Sequence, residues 1–392
     1  MRDILKVAIC ASHPIQYHVP WYQQLSKCAD IELSVYYITI PDEVEQGCGF
    51  GKSFAWDIPM LEGYQWKMLK TYKAKPQLNK FFDTRLQGLT ERLRENRPDA
   101  LIVSGWHTFG LIQVVFACSQ LGIPKLVRGD SNSLVVRPKY KRIGHRILMK
   151  LYDAYLAVGL LNREFYVRNG APNHRIFPCR HCVDNNRFAE QSHRLASLRE
   201  EIRAKWHIPE SFFCFLFCGK LEPKKRIFDV MDALDMLRKR YKGVHLLVVG
   251  SGEQTAAAKE RVRRSGLPVT FAGFLNQTEV AHAYVSADCL ILPSDYGETW
   301  GLVVNEAMAC GLPVIVSDRV GCRSDLILEE QTGLSFPCGD IRALAHRMYV
   351  MASDREGSKQ MGQRAKQLVM SEYSVEKAVE GTVDAIRSVA AV

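Results

Sequence analysis

Short apolar runs recur along the chain at Leu5 to Ala11, Ile31 to Tyr37, Ala100 to Val103, Lys125 to Val127 and Tyr155 to Ala157. Most are followed by stretches that read as helices. Runs this short, apolar on both faces and separated by helices, are what a parallel sheet between two helical layers requires. A second series follows at Phe212 to Phe217, His245 to Val249, Val269 to Phe271, Cys289 to Leu292 and Pro313 to Val316. Two successive series predict an α/β protein with two Rossmann-like domains facing across a cleft. A chain of 392 residues is also more than one core normally absorbs.

The boundary is expected near residue 190, giving domains at 1–190 and 191–392. It lies between the segment Arg175 to Phe188 and the polar, helical-looking stretch from Ala189 to Trp206. The final helix, expected to reach Ala391, either extends the second domain or crosses back to pack on the first. Between Arg137 and Tyr152, Arg142, Arg146 and Lys150 alternate with Ile143, Ile147 and Leu151 at helical spacing. This predicts a basic amphipathic helix able to rest near anionic lipid, to steer an anionic substrate, or to join its apolar face to the core.

A hydrophobic fraction of 47% marks a globular chain, and a formal charge of +10 favours an anionic partner such as a nucleotide, anionic lipid or nucleic acid. The segment Met1 to Pro14 has too short an apolar run for a secretion signal and carries Asp3 and Lys6; it reads as a first buried strand. With no run of about 18 apolar residues, membrane contact is expected to be peripheral. Twelve scattered cysteines fit reduced thiols in a cytoplasmic protein. Cys179-Arg180-His181-Cys182 lacks a second ligand pair at zinc-site spacing and reads as structural.

Pro293 to Ser317 reads as strand, tight loop, helix start and second strand. Gly297 and Gly301 permit a tight approach of backbone to phosphate, and the amides from Thr299 through Trp300, Gly301 and Leu302 to Val303 are expected to face an anion near the helix start. Glu298 and Glu306 can accept hydroxyl protons from sugars, or simply favour a first helical turn through its dipole. With these residues the chain resembles the retaining glycosyltransferases of the large GT4 group, which have the GT-B arrangement; the likeness is strongest over residues 212 to 335. Glu298 and Glu306 match that group's Glu, seven residues, Glu motif. The resemblance implies that Glu298 contacts hydroxyls of the transferred sugar and Glu306 the ribose hydroxyls of the nucleotide. Family members often have glycine where Thr299 stands.

Phe217 to Arg226 resembles the family's Gly-Arg-Leu…Lys segment, with Lys220 at the usual arginine position and Lys225 at the lysine. Cations there suit a diphosphate leaving group, although Lys220 lacks the guanidinium fork. Gly250 lies in a second glycine-rich strand exit, similar to the family's nucleotide-side loop. Phe274 and Leu275 lie where the family contacts the base; they border it or belong to ordinary core packing. In the first domain His107 resembles the family's active-site histidine near sugar and acceptor, with a hydrogen-bonded turn histidine as the plainer alternative. Gln16, Tyr17 and His18 are acceptor-side candidates, whereas Trp21 reads as a packing residue. Arg128-Gly129-Asp130-Ser131 contacts the acceptor or forms a charged turn.

The resemblance implies transfer, with retained configuration, from a nucleoside diphosphate sugar to a hydroxyl of a saccharide or polyprenol-linked acceptor. UDP is favoured because it is common in the family. The expected catalytic residues are His107, Lys225 and Glu298. No Asp-x-Asp motif stands in a comparable loop, so transfer is expected to need no metal and no cofactor. A cell-envelope saccharide acceptor would place the protein in the cytoplasm or at the inner face of the membrane. A sugar-nucleotide epimerase of similar fold is the alternative enzyme; a non-catalytic lipid or nucleic-acid binding module is the alternative of another class. A dehydrogenase fits poorly, because the first strand leads to Ser12-His13-Pro14 instead of Gly-x-Gly-x-x-Gly.

Overall fold

A computed structural model describes residues 4–390, so Met1, Arg2, Asp3 and Ala391 of the sequence reading lie outside the described residues. The chain forms two compact units. One comprises residues 1–41, 59–181 and 375–392; the other comprises residues 42–58 and 182–374. Each is a Rossmann-like α/β unit.

In the first unit the strands are β1 (Leu5–Ala11), β2 (Ile31–Tyr37), β3 (Gln65–Met68), β4 (Ala100–Ser104), β5 (Lys125–Arg128), β6 (Ala154–Ala157) and β7 (Ile176–Pro178). They form one sheet in the order β3-β2-β1-β4-β5-β6-β7. Every ladder is parallel, with Ile9 of β1 opposite both Val35 and Ile102. The last five residues of β1 are buried, as a central strand covered on both faces must be. Two strands of this sheet were not anticipated. Gln65–Met68 is largely exposed, and Ile176–Pro178 is three residues long with a proline at its end. Both sit at sheet edges, where a strand needs neither an apolar pattern nor every backbone donor.

The second sheet contains β8 (Phe213–Cys218), β9 (Val244–Val249), β10 (Val269–Gly273), β11 (Cys289–Leu292), β12 (Val314–Ser317) and β13 (Gly333–Phe336). Its order is β10-β9-β8-β11-β12-β13, again all parallel. Phe213, Phe215, Phe217, Leu246, Val248 and Ile291 from the sheet meet Ile227, Val230, Met231, Leu234 and Met348 from the helices in one buried cluster. Burying a side chain of this size contributes about 1.5–3 kcal/mol, so this layer supplies much of the unit's stability.

The final helix, Val375–Ala390, belongs to the first unit. Its inward residues Ala378, Val379, Gly381, Thr382, Ala385 and Ile386 are small or apolar, and it packs on β6, β7 and the helix Val19–Leu25. The Trp21 indole donates to Thr382 Oγ1 at 3.1 Å, fixing a buried ring against that helix. Among the described residues no helix is long and apolar enough to cross a membrane.

The approach of this helix to β7 fixes the sign of one substitution. A Cβ at Gly381 would stand 1.6 Å from the Pro178 carbonyl oxygen, whereas one at Gly144, on an exposed helix, meets nothing within 4 Å. Helix propensity alone favours alanine over glycine by about 1 kcal/mol at either site. Gly144→Ala is therefore expected to raise stability by up to about 1 kcal/mol, while Gly381→Ala lowers it by about 1–3 kcal/mol through overpacking. Thermal denaturation of the two variants, read by circular dichroism, checks both signs.

Candidate functional site

In an open parallel sheet, ligands bind beyond the carboxyl ends of the strands where the strand order reverses. In the second unit that point lies between β8 and β11. The loop after β8 passes through Gly219, at φ +151°, and makes a short turn at Pro223–Lys225 before Arg226, at φ +53°, opens the helix Ile227–Arg238. The loop after β11 runs from Pro293 to Gly301 and opens the helix Leu302–Ala309. The two loops are tied where the Asp295 N–H donates to the Lys224 carbonyl at 2.9 Å.

This tie brings Lys225 and Glu298 together. Lys225 Nζ donates to Glu298 Oε2, and Ser294 Oγ donates to the same oxygen at 3.3 Å. The two side chains are only 14% and 15% exposed, so each charge has lost most of its water and depends on the other. Backbone bonds fix the Glu298 loop: Gly297 N–H donates to Asp295 Oδ1 at 2.8 Å, Gly321 N–H to the Glu298 carbonyl at 3.2 Å, and Cys322 N–H to the Trp300 carbonyl at 3.0 Å. Gly301 adopts φ +98°, and a Cβ there would lie 2.6 Å from Leu292 Cδ2, so only glycine fits this helix entrance.

Glu306 lies one turn and a half into the helix and is 3% exposed. The Tyr284 hydroxyl donates to its Oε2 at 2.5 Å. This carboxylate is thus held by a side chain from another helix rather than by the dipole of its own first turn. Trp300 is buried, its indole donating to Asn305 Oδ1 at 2.9 Å and its ring packing beside Tyr373. Its side chain anchors the loop, while Thr299 is exposed and Leu302 and Val303 are half-buried. On the other side of β8, Gly250 adopts φ +116° and a Cβ there would lie 2.0 Å from the Gly219 carbonyl oxygen. The glycine exits of β8 and β9 thereby stack backbone on backbone.

Residues 42–58, which lie between β2 and β3 in sequence, pack on this same unit as a strap. The strap opens with a capping box, Asp42 accepting from the Val44 and Glu45 N–H groups while Glu45 accepts from the Asp42 N–H. Its carbonyls are then held one by one. Lys220 Nζ donates to Cys48 O at 3.0 Å, Ser251 Oγ to Phe50 O at 2.5 Å, and Asn276 Nδ2 to Ala55 O at 2.7 Å. Phe50 and Phe54 set their rings 5.0 and 4.3 Å from the Phe274 ring, and Lys52 and Lys220 stand over Phe274 and Phe50. Lys220 and Phe274 are therefore engaged by the strap. The sequence marks this stretch only by three closely spaced glycines, Gly47, Gly49 and Gly51, near Phe50, Phe54 and Trp56, and nothing in that pattern says where the segment packs.

In the first unit, strand order reverses between β1 and β4, and each strand ends in a histidine loop. His13 follows β1 and His107 follows β4. Ser12 Oγ lies 2.9 Å from His13 Nδ1. The His13 pKa is pushed down to about 4 by burial and then by the neighbouring His107. Burial of its inner side also lowers the His107 pKa, which the Asp130 carboxylate partly restores. Next to them Arg128, at the end of β5, is buried; it donates to His18 Nε2 at 2.9 Å and to His181 Nδ1 at 3.3 Å. A guanidinium only donates, so both imidazoles accept at those nitrogens. The His181 proton is then on Nε2, 3.1 Å from Asp130 Oδ1. Burial alone would raise the Asp130 pKa, but His181, Arg128 and His18 outweigh it and hold the carboxyl well below its usual range. His18 Nδ1 is buried without a hydrogen-bond partner, a donor with nothing to donate to. His181 is thus part of an arginine and carboxylate network, and among the described residues no group of three or more His, Cys, Asp or Glu is placed to hold a metal ion.

Residues 198–368 match the Glycosyl transferases group 1 family. The match contains Lys220, Lys225, Gly250, Phe274, Leu275, Glu298 and Glu306. Glycogen synthase of Mycobacterium tuberculosis is 32% identical over 163 residues, 40% of this chain and 38% of that protein. The GDP-mannose-dependent alpha-mannosyltransferase of the same organism is 32% identical over 258 residues, 64% of this chain and 63% of that one. The chain thus spans under two thirds of the length of these relatives. The crystal structure of Anabaena HepE in complex with UDP has a TM-score of 0.73 with this chain at 15% identity, covering 98% of this chain and 100% of that one. That likeness shows the fold, which is of the GT-B type.

The histidine exits carry a pH signature. An imidazole with a lowered folded-state pKa is neutral in the folded protein and takes up a proton on unfolding, so stability falls as pH drops from 6.5 towards 4. The His13 ring is expected to titrate near pH 4 by NMR, and His13→Gln to make the acid loss of stability shallower.

Proposed function

We propose that the protein is a retaining glycosyltransferase that moves a sugar from a nucleoside diphosphate sugar, UDP-linked, to a hydroxyl of a saccharide or lipid-linked saccharide. The observation that carries this reading is the Lys225–Glu298 pair at the reversal point of the second sheet, with Glu306 held by Tyr284 one helix segment further on. The match of residues 198–368 to the group 1 glycosyltransferases supports it. UDP in the HepE crystal structure supports a nucleotide-sugar donor.

In this reading Glu306 accepts from the ribose hydroxyls and Glu298 from hydroxyls of the sugar. Lys225 faces the diphosphate, whose charge grows as the glycosidic bond breaks, and the amides from Thr299 to Val303 share that charge. Lys225 exchanges one anionic partner for another, so its positive charge stays compensated throughout. On the acceptor side, His107 and the buried His18 donor offer hydrogen bonds to a saccharide. His107, neutral at pH 7 because its pKa is lowered, acts as a positioning or accepting group rather than as a cation. The leaving diphosphate takes the acceptor proton as the new bond forms on the same face. With Lys225 and the helix amides serving the diphosphate, transfer requires no metal ion. In this reading the reaction runs in the cytoplasm or at the inner face of the membrane.

Saturation-transfer NMR against UDP-, GDP-, ADP- and TDP-sugars tests the donor. One nucleotide is expected to bind selectively. Glu306→Ala should weaken it roughly ten- to hundred-fold, the worth of hydrogen bonds to a charged group. Lys225→Ala and Glu298→Gln should lower turnover by about a hundred- to a thousand-fold, as loss of a charge-stabilising contact does. Binding to none of the four sinks the reading. Turnover is expected to persist in chelator; loss that added divalent metal restores sinks the metal-independent route. Product analysis showing an epimerised sugar nucleotide, with no transfer, would favour the epimerase.

A further inference from the structure

The helix Lys139–Met149 turns its apolar stripe away from the protein. Of its residues only Met149 is buried. Tyr140, Ile143 and Ile147 are 70%, 61% and 61% exposed, and Val136, just ahead of the helix, is 96% exposed. At about 100° per residue the three helical side chains fall within an arc of about 60° opposite Met149. Single exposed apolar residues are ordinary, but a row of them on one face marks a surface that is covered in use.

Two further observations identify the cover. Residues 136–150 carry six basic side chains and no acidic one. A cavity of about 380 Å³ also opens beside Val136, lined by Ser133, Arg137, Arg142, His145 and Arg168. Arg137 is fixed in its wall, stacked over Phe165 at 4.9 Å and donating to the carbonyls of Asn132 at 2.9 Å and Val135 at 3.1 Å. His145 Nδ1 is buried there with no hydrogen-bond partner. Glu164, paired with Arg168, is the acidic group beside this wall. An apolar stripe alone would suit any greasy partner, and a basic cavity alone any anion. Apolar side chains flanked by cations next to an anion-sized basic cavity match one material, a phospholipid surface with acidic headgroups.

We propose that this face docks on an anionic phospholipid bilayer, with Tyr140, Ile143 and Ile147 entering the headgroup and acyl boundary and one lipid phosphate seated among Arg137, Arg142 and Arg168. The docking stands apart from the sugar-transfer reading, and its test reads binding alone. The full chain is sedimented with vesicles of phosphatidylcholine, with and without phosphatidylglycerol. It should bind the phosphatidylglycerol vesicles selectively and release them in high salt. Ile143→Ser with Ile147→Ser should lower partitioning roughly ten-fold at unchanged melting temperature, since both side chains already lie in solvent. Arg142→Gln and Arg168→Gln should each lower it roughly five-fold. The proposal is overturned by equal binding to pure phosphatidylcholine, by no binding to either vesicle, or by full binding of the serine double variant. It is also overturned if the chain binds free glycerol phosphate but no vesicle, or if sedimentation velocity shows a dimer that the serine variant dissolves.

Discussion

The ion pair between Lys225 and Glu298 sets what the second unit must do around it. Two opposite charges, each mostly removed from water, are stable only in contact, and removing either one would leave the other buried alone at a cost of about 3–5 kcal/mol. Contact requires the loops after β8 and β11 to be fixed with respect to each other. The backbone bond from Asp295 to Lys224, the closures onto Gly321 and Cys322, and the glycine at Gly301 supply that fixity. The buried Trp300 indole fastens the loop to the helix that carries Glu306. A pair built this way is already organised before any ligand arrives.

The first unit uses the same sheet topology with a different chemistry at its strand exits. There the groups are imidazoles, and burial keeps them neutral instead of pairing them as ions. Arg128 settles the arrangement, because its guanidinium can only donate and so dictates which nitrogen of His18 and of His181 carries the proton. Asp130 compensates the arginine through His181. The result is a polar floor with fixed donors and acceptors and little tendency to change charge near neutral pH.

The chain does not follow its own linear order in building the units. Residues 42–58 leave the sequence of the first unit to lie on the second, and residues 375–390 return from the second to close the first. Each excursion is held by features that make sense only in place. The strap has carbonyls received by Lys220, Ser251 and Asn276. The returning helix has small residues at Ala378 and Gly381 where it meets β7. A basic, exposed apolar helix would be a liability in a freely diffusing protein unless something covers it.

Sequence pattern by itself determined the two βα series, because a strand buried on both faces has to be an uninterrupted apolar run, and it located the Glu298 and Glu306 motif, because glycines at strand exits have few other uses. The family resemblance singled out Lys225, in the loop after β8. Strands β3, β7 and β13 escaped the pattern: β3 is largely exposed and carries no apolar signal, and β7 and β13 are only three and four residues long. The pairing of Lys225 with Glu298, the grip of Tyr284 on Glu306 and the tautomers set by Arg128 depend on residues tens to more than a hundred positions apart. Only the tertiary structure decided those, as it decided that the stripe of Tyr140, Ile143 and Ile147 faces outward. Helical periodicity reveals that a stripe exists; which way it points is fixed by what the remainder of the chain leaves for it to pack against.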